Sequence, residues 1–181
     1  MSKNSFKNRI IQAAKLDSNL YEEVEADKSA LGQAMAIVVL SSIAAGIGLY
    51  KTGGFSGIIT GTMASLISWY VWAYLTYFIG TKFLPEPQTQ ADLGELLRTI
   101  GFSSSPGLLR VFYFVPGIGG LLYLISSLWM LVAMIIAVRQ ALDYNSTLRA
   151  VGVCVIGYII QIFVLVVLFS IFGGVLPEVT P

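Results

Sequence analysis

Four apolar runs, Ala30–Tyr50, Phe55–Leu84, Gly117–Val138 and Ala150–Phe172, divide this chain, and none contains an Asp, a Glu or a His. A run of about 20 such residues can cross the ~30 Å hydrocarbon core of a bilayer as one helix. A chain built this way is a polytopic membrane protein. Composition agrees: 56% of the 181 residues are hydrophobic and 12% are charged, against roughly a quarter charged in a soluble domain. A net charge of +1 excludes the clustered basic face that nucleic acid requires. One cysteine, Cys154, excludes an intramolecular disulfide and a Cys-based zinc site. With no histidine, the chain lacks the usual proton shuttle and the commonest metal ligand. No cofactor and no metal is implied.

The first run begins behind five acids, Asp17, Glu22, Glu23, Glu25 and Asp27, and is longer than a signal-peptide core. It is expected to stay as a membrane helix. Ahead of it, Phe6, Ile10 and Ala14 recur every four residues among Lys3, Lys7, Arg9 and Lys15. That pattern reads as a basic amphipathic helix in the headgroup plane or as a frayed charged terminus. Asp17-Ser18-Asn19, with Glu22 three residues after Asn19, predicts a short helix over Leu20–Asp27. In the second run Gly57, Gly61 and Ser65 lie four apart, and Ser42 and Gly46 make a similar pair in the first. Small residues so spaced let helix backbones approach in lipid, which predicts packing within one bundle.

Between the second and third runs, Leu93, Leu96, Leu97 and Ile100 take helical spacing after Asp92. The pattern continues to Val115 through Ser103-Ser104-Ser105-Pro106. Leu96–Val115 is about 20 residues and could cross, with a proline break near Phe102 whose freed carbonyls the serines could satisfy. The rival is a re-entrant loop. Charge separates them. With five spans and a cytoplasmic N-terminus, Lys3, Lys7, Arg9, Lys15, Lys28, Lys82, Arg98, Arg139 and Arg149 lie inside and Lys51 alone outside, as the positive-inside rule favours. The expected architecture is an all-α bundle of five transmembrane helices. It comprises an N-terminal amphipathic and acidic segment at 1–29, the helical domain at 30–172 and an exported tail at 173–181.

Arg110 is the one charge inside a predicted span, and such residues are costly and often functional. Its candidate partners are Glu178, backbone carbonyls freed by Pro106 or Pro116, or a lipid phosphate. Ser103 and Ser105 beside Pro106 form either a simple kink or a half-helix terminus that attracts anions. The cluster Tyr21, Glu22, Glu23, Glu25 and Asp27 is either a solvated face or a docking surface for a cytosolic partner. Arg98, Arg139 and Arg149 are placed to meet anionic headgroups. Catalysis has no support, because no serine has a histidine to activate it.

The segments YEEVEAD at 21–27, GFSSSPGLLR at 101–110, Pro116-Gly117-Ile118-Gly119, Trp129 and AVRQALDYNSTLRA at 137–150 together resemble the Yip family. These are the Ypt-interacting membrane proteins, here in a compact prokaryotic-type form, and the resemblance covers about residues 20–172. It implies five membrane helices, a cytosolic N-terminus and no catalytic residues. Eukaryotic members act in vesicle traffic, binding Rab-type GTPases and one another. The expectation is therefore a non-enzymatic membrane-organising or trafficking scaffold, touching the lipid bilayer and other membrane proteins or itself, in a bacterial plasma membrane. The alternative is a small anion or lipid transporter using the Ser103–Pro106 break and Arg110.

Overall fold

A computed structural model describes residues 5–172, and among these every regular element is helical. Helix α1 spans Phe6–Ala14 and α2 spans Ser18–Ala26. The membrane-type helices are α3 (Leu31–Gly48), α4 (Tyr50–Phe78), α6 (Gly119–Ala141) and α7 (Thr147–Phe172), and α5 (Leu93–Ser103) continues into a 3-10 segment, Ser105–Phe114. Among the described residues, three stretches are long and apolar enough to cross a membrane, Lys28–Gly48, Gly53–Phe83 and Gly119–Ala141, and Thr147–Phe163 of α7 is a shorter apolar stretch. The expected tail at 173–181, including Glu178, lies outside the described residues.

Local chemistry sets the boundaries. Asp17 rather than Asn19 caps α2, accepting from the Asn19 backbone N–H at 3.1 Å, so the helix starts two residues earlier than its spacing suggested. Asp92 and Glu95 close a reciprocal capping box on α5. Helix α4 is kinked at Gly54, whose φ of +57° suits glycine. At its C-terminal end α4 widens into a π-turn, Ile79–Phe83. There the Tyr144 hydroxyl donates to the carbonyls of Gly80 and Leu84, at 2.9 and 2.7 Å.

The proline break falls where expected. Pro106 has no N–H to offer Phe102, and the Ser105 hydroxyl donates to that carbonyl instead, at 2.7 Å. Ser103 donates to Ile100 at 2.7 Å. Beyond the break the chain tightens to 3-10 geometry and keeps its direction. A Cβ on Gly101 would lie 2.7 Å from Ala34, one on Gly107 would meet Ser41, and one on Gly48 would lie 2.5 Å from the Arg110 carbonyl. Increasing numbers on α5 and the 3-10 segment therefore pair with increasing numbers on α3, and the two run parallel along its length. At ordinary rises α5 and the 3-10 segment together reach about 35 Å, and α3 about 27 Å.

The small-residue faces divide in two. Ser42 and Gly46 do pack on α4: the Ser42 hydroxyl donates to Thr62 at 3.2 Å, and a Gly46 Cβ would sit 3.0 Å from Ile58. Gly57 and Gly61 have nothing within 4 Å of a Cβ. The stripe expected to seat a helix faces open space, because the opposite pair already sets the α3–α4 separation. The core gathers around α2, where Leu20, Tyr21, Val24, Ile37, Leu96, Phe102, Val138 and Leu142 are buried together.

Candidate functional site

Two places bring predicted residues together. At the end of the bundle that carries the N-terminal helices, α2 is built into the fold by three other elements. Arg9 of α1, 2% exposed, donates to Glu23 at 2.8 and 3.0 Å, to Asp27 at 2.7 Å and to Gln33 at 3.0 Å. Ser29 first, and then Arg9, hold the Asp27 carboxyl below its ordinary range. Arg98 of α5 is buried and donates to the carbonyls of Val24 and Glu25. It thereby closes the C-terminal end of α2, as a cation does well. Gln140 of α6 donates to Glu22 at 2.7 Å. Tyr21 is fully buried. Thus Tyr21 and Arg98 lie in the interior, while Glu23 and Asp27 stay about one-third exposed and meet the buried Arg9 from the surface. The buried charges of Arg9 and Arg98 need such matched acceptors.

Glu22 is exposed and Glu25 half-buried, on a cleft of about 610 Å³ that Glu95, Asp143, Arg139 and Tyr144 also line. Arg139 donates to the Tyr144 carbonyl at 3.1 Å. Arg149 remains half-exposed and reaches Glu86 at 3.5 Å and the Pro85 carbonyl at 2.7 Å. Burial chiefly, and then the charges of Asp143, Glu95 and Glu22 against an opposing Arg98, raise the Glu25 carboxyl to about 8. The sign follows directly. The folded chain binds this proton more tightly than the unfolded chain, so stability falls as pH climbs from about 4.5 towards about 8. Glu25→Gln is expected to flatten that slope and to raise the midpoint at pH 9 by roughly 2–4 °C, as a change of about 1 kcal/mol would after solvent screening. Thermal unfolding in detergent from pH 5 to 9 reads both, and parallel wild-type and variant curves would refute the assignment.

The second place is a partly open cavity of about 650 Å³ between α3, α4, the 3-10 segment, α6 and α7. The open stripe of Gly57, Gly61 and Ser65 forms one wall, and Ser103, Ser104 and Arg110 contribute to another. Among the described residues, no Asp or Glu lines it. Arg110 donates to the Ser127 hydroxyl at 3.0 Å and stands 4.8 Å from the Tyr123 ring centroid. Its Nε is buried without an acceptor, and so is the indole N–H of Trp72. Ser105 is turned to Phe102 and lies outside this lining.

A family model for the Yip1 domain matches residues 18–169 of the chain. The chain belongs to the Yip1 domain family. No curated protein and no solved structure matches it. The match spans α2 through most of α7, so both the cleft and the cavity lie within the Yip1 domain. Arg9 precedes it and yet fastens its first helix.

Sequence reasoning missed Trp72, Ser127 and Gln161 as cavity residues, and Tyr123 as the ring beside Arg110. Gln161 carried a usable signal, since it is the one amide in the last apolar run and an amide in lipid needs a reason. Trp72 carried none, because its neighbours Trp69 and Tyr70 look the same in a sequence. Arg9 was equally concealed within an ordinary basic terminus.

Proposed function

We infer that this Yip1-domain protein is a non-enzymatic membrane organiser that crosses the bilayer five times and displays its inner cleft to a protein partner. The parallel run of α5 and the 3-10 segment along α3 supports the odd number of crossings. The excess of Lys and Arg at the inner loops supports a cytoplasmic N-terminus. One observation carries the partner role: Arg9, Arg98 and Gln140 hold α2 rigidly, so Glu22 and Glu25 are presented in fixed positions beside Glu95 and Asp143. A preorganised cleft rich in carboxyl groups favours a partner with basic side chains, because its ordering cost is met before binding. Trafficking proteins and GTPases enter only by family analogy.

The test is capture of the full chain from its native membrane in mild detergent. Glu22→Ala with Glu25→Ala is expected to lower the co-purified partner about tenfold, the loss of roughly 1.4 kcal/mol of binding, while the chain still unfolds cooperatively. Undiminished recovery of the same partners would remove the cleft from the reading. A second reading, movement of an anion or lipid, is favoured by the cavity that contains Arg110.

A further inference from the structure

We propose that the Arg110 cavity is a binding site for the phosphate headgroup of one anionic phospholipid. The proposal rests on the membrane-protein reading and not on the role of the inner cleft. It begins from an imbalance of donors and acceptors. Arg110 Nε and Trp72 Nε1 are both donors, both buried and both without an acceptor, while Trp72 as a whole is only 7% exposed. Each such group left unmatched costs about 1–3 kcal/mol, more where it is charged. The buried side-chain atoms lacking a partner on this cavity are donors alone. An occupant that repairs the imbalance must therefore bring acceptors.

Charge narrows the choice. Arg110 already uses one terminal nitrogen on Ser127, and its face lies against Tyr123, yet its positive charge has no carboxylate among the cavity residues. A cation among apolar helices draws a counter-ion of its own, and a guanidinium suits phosphate oxygens in particular. The wall decides between a free ion and a lipid. Val38, Ile100, Leu131 and Met134 line the same space as Arg110, and a free inorganic anion would leave that apolar length unfilled. An acyl chain would cover it. Outside the cavity, Phe55, Ile59, Met63 and Ile67 are exposed along α4 at helical spacing, a surface that already belongs to lipid. Gly57 and Gly61 complete the fit, because they have no atom within 4 Å of a Cβ and so leave the opposite wall unobstructed.

The probe is phosphatidylglycerol, added to the delipidated full chain in detergent micelles, with retained lipid counted by native mass spectrometry. One tightly held lipid is expected, with phosphatidylcholine at least several-fold weaker. Arg110→Ala is expected to lower phosphatidylglycerol retention about tenfold, the scale of one charge-assisted contact. Since that variant also removes the bond to Ser127, Gly61→Leu provides a second approach, filling the cavity from α4 with the cation untouched. It is expected to cause a comparable loss while the unfolding midpoint holds. Wild-type retention in either folded variant would overturn the site. Displacement of the lipid by millimolar inorganic phosphate, with equal protection of the chain by phosphate alone, would overturn the lipid in favour of a free anion. None of these results depends on a partner at the inner cleft, so the two readings fail separately.

Discussion

Arg9→Ala is expected to destabilise the α1–α2 end of the bundle by about 3 kcal/mol, the scale at which one partner is removed from a buried ionic cluster. In a chain of this size that lowers the unfolding midpoint by roughly 6–12 °C. Three acceptors converge on this guanidinium from two elements, Glu23 and Asp27 from the end of α2 and Gln33 from the start of α3. Its loss leaves two carboxylates facing one another with no cation between them. Part of the cost is relieved by water, since those carboxylates are about one-third exposed, and the figure is set below the upper end of its range for that reason. Lysine cannot replace the fork, so Arg9→Lys should recover only part of the loss. Hydrogen exchange should show α1 and α2 opening first while the middle of α6 stays protected. Uniform loosening of the whole chain, or an unshifted midpoint, would mean that the cluster is not what holds the platform. The carboxyl of Asp27 adds a check of opposite sign to that of Glu25. Its pKa is lowered on folding, so its contribution is present above its ordinary range near 3.8 and declines as pH falls through the folded value.

The comparison with sequence reasoning separates along physical lines. Apolar runs are legible because their length is set by the bilayer and not by their neighbours, and three of the four expected boundaries lie within a few residues of a long apolar helix. The break at Ser103–Pro106 was equally legible, since a missing N–H has a fixed address four residues back. What could not be read was pairing. Arg9 and Arg98 look like their exposed neighbours, and only tertiary contacts turn them inward to Glu23, Asp27 and the end of α2. Arg110 was visible as an anomaly because the surrounding residues are apolar. Its partners, Ser127 and the Tyr123 ring, come from a different helix and had no local signal.

Glycine makes the same point quantitatively, through one substitution with opposite signs at two sites. Gly48→Ala is expected to cost about 3 kcal/mol, as overpacking against a fixed backbone does. Its Cβ would stand 2.5 Å from the Arg110 carbonyl oxygen and 2.8 Å from the Tyr113 Cβ. Neither atom can rotate away, so relief requires the whole 3-10 segment to withdraw from α3. Gly57→Ala and Gly61→Ala meet nothing within 4 Å. They should stabilise by up to about 1 kcal/mol, because alanine loses less backbone entropy in a helix. Thermal unfolding of the three variants in one detergent reads the contrast, with Gly48→Ala below wild type and the α4 pair at or above it. Should Gly57→Ala and Gly61→Ala prove as damaging as Gly48→Ala, the α4 stripe is packed against a helix after all, and there is no space beside Arg110 for a ligand. If instead Gly48→Ala is silent, the 3-10 segment does not press on α3, and the parallel course that supports a full crossing loses its closest contact. Because Arg110 is carried on the segment that Gly48 holds in place, the first variant should also weaken phosphatidylglycerol retention without altering any residue of the cavity.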